Sequence, residues 1–74
     1  MAPHQLTLQP HQQRVIEEKD ELDKKIAALG YFIGETPFFK NVDSAEQGRL
    51  LEQLRAMREY SEILDMRIQV FPKG

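Results

Sequence analysis

With 74 residues and a formal charge of −2 from 12 acidic and 10 basic side chains, the chain suits one small domain and lacks the basic excess that coats nucleic-acid polymers. Cysteine is absent, which excludes a disulfide framework and a thiolate zinc site and fits a reducing cytoplasm. No apolar run approaches the roughly 18 residues of a membrane span, and the start of the chain has neither the basic residues nor the apolar stretch of a secretory signal. A cytoplasmic protein without membrane contact is therefore expected.

Residues 1–9 mix Pro3, His4 and Gln5 with Leu6 and Leu8 and carry no helical period, so they are predicted to form an extended N-terminal arm, with residues 10–74 as a helical hairpin domain. Pro10 suits the first turn of a helix, where a missing backbone N–H costs nothing. From there Val15, Leu22, Ile26, Leu29 and Ile33 recur at alternating gaps of three and four, the period of one helix face. The rhythm assigns one further position to this seam, and Lys19 occupies it. Asp20 with Lys24 and Glu21 with Lys25 stand four apart in the order that supports a solvated helix face.

Gly30 and Gly34 bracket Tyr31, Phe32 and Ile33, and Pro37 follows, so the first helix is predicted to end between the two glycines. Phe38, Phe39 and Val42 are too apolar for a free loop and are expected to fold over the end of the hairpin as a plug. Asp43 and Ser44 offer an N-cap, with Glu46 and Gln47 at capping-box spacing. The second helix then runs to about Val70. Its seam is Leu50, Leu54, Met57, Leu64, Ile68 and Phe71, and beside it lies another row, Ala56, Tyr60, Ile63 and Val70, in which the rhythm places Arg67. Arg55 and Arg58 have Glu59 and Glu62 four residues on, the spacing of exposed ion pairs. Each helix is roughly 35 to 40 Å long at 1.5 Å per residue, so the two match in length. The predicted fold is all-α: an antiparallel two-helix hairpin. Two helices cover only one face of each other, so the hairpin is expected to assemble into a helical homo-oligomer larger than a dimer.

Catalytic constellations are nearly absent. There is no cysteine nucleophile, and no base is apparent in the pattern beside Ser44 or Ser61. His4 and His11 lack metal-ligand spacing, so no metal and no cofactor are expected. The run from Gly30 to Gly34 lacks the lysine and hydroxyl of a phosphate loop. The chain is not expected to be an enzyme.

The two misplaced cations each admit two readings. Lys19 either lays its stem along the seam and reaches a carboxylate, Glu18 of a neighbouring helix or Glu62, or binds a phosphate beside His4 of the arm and Arg14 of the first turns, with Tyr31 or Phe32 of another copy stacking on a base. Arg67 either makes an interhelical ion pair or, if the row through Tyr60 and Ile63 surrounds a symmetry axis, converges with its copies on an anionic ligand that neutralises them.

The run from Pro10 to Ile26, the Phe32-Ile33-Gly34 step and the pattern Leu50, Leu54, Met57, Tyr60, Ile63, Arg67, Ile68 together resemble the small phage proteins that share a helical hairpin domain with the anti-CBASS and Thoeris anti-defence sponges. The resemblance spans about Leu8 to Phe71. It implies a homohexamer that sequesters cyclic oligonucleotide alarm signals in the host cytoplasm without degrading them. It further implies that Lys19 belongs to a cyclic dinucleotide pocket between protomers, and that Arg67 meets cyclic trinucleotides around a threefold axis. Where the family carries an aromatic near the N-terminus, this chain carries His4 and His11. The expected ligand contacts are therefore Lys19, Arg67, His4, His11, Arg14 and Tyr60. The alternative is a small structural or adaptor module that binds another protein through the Ala56 to Val70 row.

Overall fold

The computed structural model describes residues 8–71. Within them lie two α-helices of equal length, α1 (Pro10–Glu35) and α2 (Ser44–Gln69), joined through a single 3-10 turn at Phe39–Asn41, with no strand among the described residues. Lys19 of α1 meets Ser61 of α2, while Gly30, farther along α1, lies against Arg58, earlier in α2. The helices are thus antiparallel neighbours, as the matched stripes predict. Of the expected arm, Leu8 and Gln9 precede α1 outside any helix, and the rest lies outside the described residues.

Local chemistry explains where α1 starts. Pro10 occupies the first turn, and the Gln9 backbone N–H donates to the Gln12 side-chain oxygen at 2.9 Å, which ties down the entry of the chain. The end of α1 differs from the prediction. The helix runs through both Gly30 and Gly34 and stops at Glu35, where Thr36 turns extended. A glycine inside a helix costs only about 1 kcal/mol, whereas Pro37 sterically drives the residue before it out of the helical region. The proline therefore decides the boundary, and Thr36 closes the last turn by donating from Oγ1 to the Phe32 carbonyl at 2.8 Å.

The connection is only half a plug. Phe39 packs edge-on against Phe32, ring centres 6.1 Å apart and planes at 87°, an arrangement favoured by the ring quadrupoles. Phe38 instead points outward and is exposed. Asp43 is the N-cap of α2, its carboxylate accepting from the backbone N–H groups of Ala45 at 3.0 Å and Glu46 at 3.3 Å. Neither expected reciprocal partner completes a capping box. Glu46 accepts from Arg49 at 2.7 Å, and the Gln47 amide donates to the carbonyls of Phe39 and Val42 at 2.8 and 3.0 Å. Gln47 thereby fastens the 3-10 turn to α2.

The core is narrow. Val15, Leu54 and Leu64 are the buried apolar residues among those described, Leu64 completely, while Tyr31, Phe38, Leu51, Tyr60, Ile63, Met66 and Val70 all stand exposed. More large apolar side chains are left in solvent than are buried, as expected when each helix has only one neighbour. No helix of the described residues is long and apolar enough to cross a membrane.

Candidate functional site

Midway along the seam the apolar packing is interrupted from both sides. Lys19 occupies its predicted seam position on α1, and Ser61 occupies the matching position on α2, the step between Met57 and Leu64. Their side chains close a triangle with Asp23. Lys19 Nζ donates to Asp23 Oδ2 at 2.8 Å and to Ser61 Oγ at 3.1 Å, and the Ser61 hydroxyl donates to Asp23 Oδ1 at 2.6 Å. Ser61 is buried, the Lys19 side chain is only 23% exposed, and no buried side-chain nitrogen or oxygen among the described residues is left without a partner.

The hydrogen bond from Lys19 is the main cause holding the Asp23 carboxyl below its ordinary range, with the bond from Ser61 second. The same bond to Asp23 raises the Lys19 ammonium above the usual lysine value against the opposing effect of burial, and Asp65 and Asp20 add to the rise. Lys19 is therefore a proton-bearing donor, and Asp23 a weakened base. Ser61 sits in the interior of a helix whose backbone N–H groups are already spent, so no oxyanion cradle faces its hydroxyl. The triangle is a closed hydrogen-bonded group that links the two helices.

Sequence reasoning placed the Lys19 partner at Glu18 of a neighbouring helix or at Glu62. Within the protomer the structure gives Lys19 Asp23 of its own helix and Ser61 across the seam in place of Glu62. It also sets Ser61 beside two ionisable groups that the pattern did not reveal. The signal was present: continuing the rhythm of three and four along α2 from Leu54 lands on Ser61, an interruption matching Lys19.

Lys19 and Ser61 open onto a cleft of about 500 Å³ that is further lined by Glu62, Asp65 and Met66. With Asp23 adjoining, one ammonium faces three carboxylates there. Arg58 does not make the expected pair with Glu62 among the described residues; its guanidinium lies 3.9 Å from where a Cβ on Gly30 would stand. Arg55 does pair with Glu59, at 2.8 Å, and takes Glu52 at 2.8 Å as well.

Tyr60 and Arg67 stand elsewhere. Each immediately precedes a seam residue, Ser61 and Ile68, whereas Asp65, which lines the cleft, follows Ser61 by four. A helix carries those positions to opposite flanks of its seam. Arg67, Tyr60, Ile63 and Val70 are all exposed, and Arg67 makes no ion pair among the described residues. His11 and Arg14 are exposed in the first turns of α1, the end of the hairpin to which the last turn of α2 returns. The structure places Lys19 on one flank of the α2 seam and the Tyr60 and Arg67 row on the other, and His4 lies outside the described residues.

The sequence pattern that defines the Sequestin family matches residues 9–70, which takes in both helices. The chain is also 44% identical over 61 residues to an uncharacterized 7.5 kDa protein from the denB-rIIB intergenic region of Enterobacteria phage T4, covering 82% of this chain and 94% of that protein. No solved structure matches the chain. The family name denotes sequestration, a binding role, and the relative is a phage protein, as are the proteins that the sequence resembles. A match over both helices and the turn between them establishes that the chain belongs to the Sequestin family.

Proposed function

We propose that the protein is a sponge: a homo-oligomer, a hexamer by resemblance, that binds cyclic oligonucleotide signals in the host cytoplasm and withholds them from an anti-phage defence effector. The observation that carries this reading is Arg67. It is an exposed cation in a row of apolar side chains, Tyr60, Ile63 and Val70, with no ion pair among the described residues. An apolar row covered by copies of itself would bring those cations together, and the cost of gathering like charges is offset when an anion with several phosphates sits among them. Tyr60, seven residues and about two turns before Arg67 on the same row, supplies a ring for a base.

In this reading Arg67 and Tyr60 make the primary contacts, and His11 and Arg14 add donors at the same end of the hairpin. His4 of the proposed arm, residues 1–9, is a further ligand contact in this reading. Lys19 already gives two of its three N–H donors to Asp23 and Ser61, which leaves one for a second ligand. The acidic surroundings of the cleft make Lys19 the weaker of the two cations for an anion.

Thermal unfolding of the protein with a panel of cyclic di- and trinucleotides tests the reading, because a ligand that prefers the native state raises the midpoint by mass action. The wild type is expected to be stabilised by at least one cyclic trinucleotide, and Arg67→Ala to lose that stabilisation while keeping its helix content. A wild type indifferent to every cyclic oligonucleotide, yet oligomeric through the same row, would replace the sponge with an adaptor that binds protein there.

A further inference from the structure

Between Val15 and Ile33 on α1, and between Leu50 and Ile68 on α2, every seam position is apolar except Lys19 and Ser61, and those two exceptions meet. Aliphatic seams of this kind are interchangeable: an α1 stripe packs acceptably against another α1 or an α2 from any copy of the chain. An assembling hairpin with exposed apolar rows is open to that error. Lys19 keeps Asp23 in any arrangement, since both are on one helix. The contacts that depend on pairing are the two bonds to Ser61, 3.1 Å from the ammonium and 2.6 Å to the carboxylate.

We infer that the Lys19–Asp23–Ser61 triangle selects the partner helix, making an α1 seam accept an α2 seam and rejecting α1 on α1 and α2 on α2. In a like-with-like pair Lys19 would face a second Lys19 or a bare leucine or isoleucine, and Ser61 would keep only the carbonyl of Met57 on its own helix as an acceptor. Both arrangements forfeit the two bonds across the seam, and the α1 pair also brings like charges together. The apolar alternative, Met at 19 with Ala at 61, removes this discrimination while keeping volume and helix propensity. Ser61 is thus a specificity residue, and the inference does not depend on any ligand.

The lack of cysteine allows a direct test. An Ile26→Cys reporter in the α1 seam forms an interchain disulfide only where two α1 seams meet. In the otherwise native chain, oxidation is expected to give little covalent dimer. With Lys19→Met and Ser61→Ala added, the dimer fraction is expected to rise at least fivefold, with helix content retained and a melting point no lower than that of the reporter alone. Exchanging the two residues, Lys19→Ser with Ser61→Lys, is expected to return the dimer to the starting level, because Asp65 stands one turn beyond position 61 as Asp23 stands beyond 19. An unchanged dimer fraction in the Met and Ala background overturns the inference, as does a swapped pair that fails to restore it. Loss of helix in that background also overturns it, since the triangle would then be needed to fold at all and not to choose a partner.

Discussion

The seam of the hairpin and the outer row of α2 are written in the same heptad-like spacing, yet they are finished to different degrees. In the seam a cation placed among hydrophobes finds Asp23 and Ser61 within the same chain. In the row through Tyr60, Ile63, Arg67 and Val70 the cation has no ion pair among the described residues, and Val70 is 80% exposed. A polar residue in an apolar stripe therefore has two meanings. Where its bonds are closed internally it belongs to the fold, and where they are open it points outward to what the fold is for.

Neighbouring residues on α2 give the strongest way to break this contrast. Leu64 is wholly buried in the seam, and Leu64→Ala is expected to cost about 2 to 5 kcal/mol, enough to unfold a domain this small, read as loss of the helical circular dichroism. Ile63→Asp, one residue away on the exposed row, is expected to keep the helix signal and lower the mass seen by light scattering. If the two substitutions behave alike, the distinction between finished and unfinished faces is wrong.

Asp43→Ala is smaller, about 1 kcal/mol, because it removes the acceptor for two N–H groups at the start of α2; a denaturant midpoint measures it. Gly34 sharpens the contrast from the opposite direction. A Cβ there meets nothing within 4 Å in the protomer, so Gly34→Ala is expected to raise stability by about 0.5 to 1 kcal/mol. A loss at that position would show that another copy of the chain packs closely against it.

The smallest effect is with pH. Asp23 is held below the ordinary carboxylate range, so its contribution is present above that range and is lost as pH falls through its lowered value. Lys19 is raised, so its contribution holds below the ordinary lysine range and is lost as pH rises through the raised value. Asp23 is 45% exposed, and solvent screening keeps the change modest. The melting midpoint is expected to dip on the acid side, and Asp23→Asn to remove that part of the dip.

Much of the fold was legible because spacing alone reports it: two stripes of equal length, Pro10 to open one helix and Asp43 to cap the other. The end of α1 was misread because two glycines look more disruptive than one proline, although the energies rank them the other way. Arg58 was misassigned because a four-residue spacing does not say which way a long side chain lies. The triangle was half legible. Lysine in a stripe is conspicuous, but serine is small enough to pass as filler, and only the partner helix shows that the two interruptions coincide. One protomer's geometry keeps Lys19 and Arg67 apart, and their two separate pockets rest on the resemblance and on the assembly proposed from it.

Gln47 has a consequence for how the chain acquires its shape. Its amide spans the carbonyls on either side of the 3-10 turn, while Phe39 closes on Phe32, so the bend is settled by contacts between residues close in sequence. Closing a short loop costs little entropy, and local topologies fold fastest. The helices are then expected to zip from the bend outward, with the end that carries Arg14 and Arg67 joining last. That end would also be the first to fray, leaving the exposed cations on the most adaptable part of the rod, where a ligand or a second copy can still adjust the angle at which the helices close.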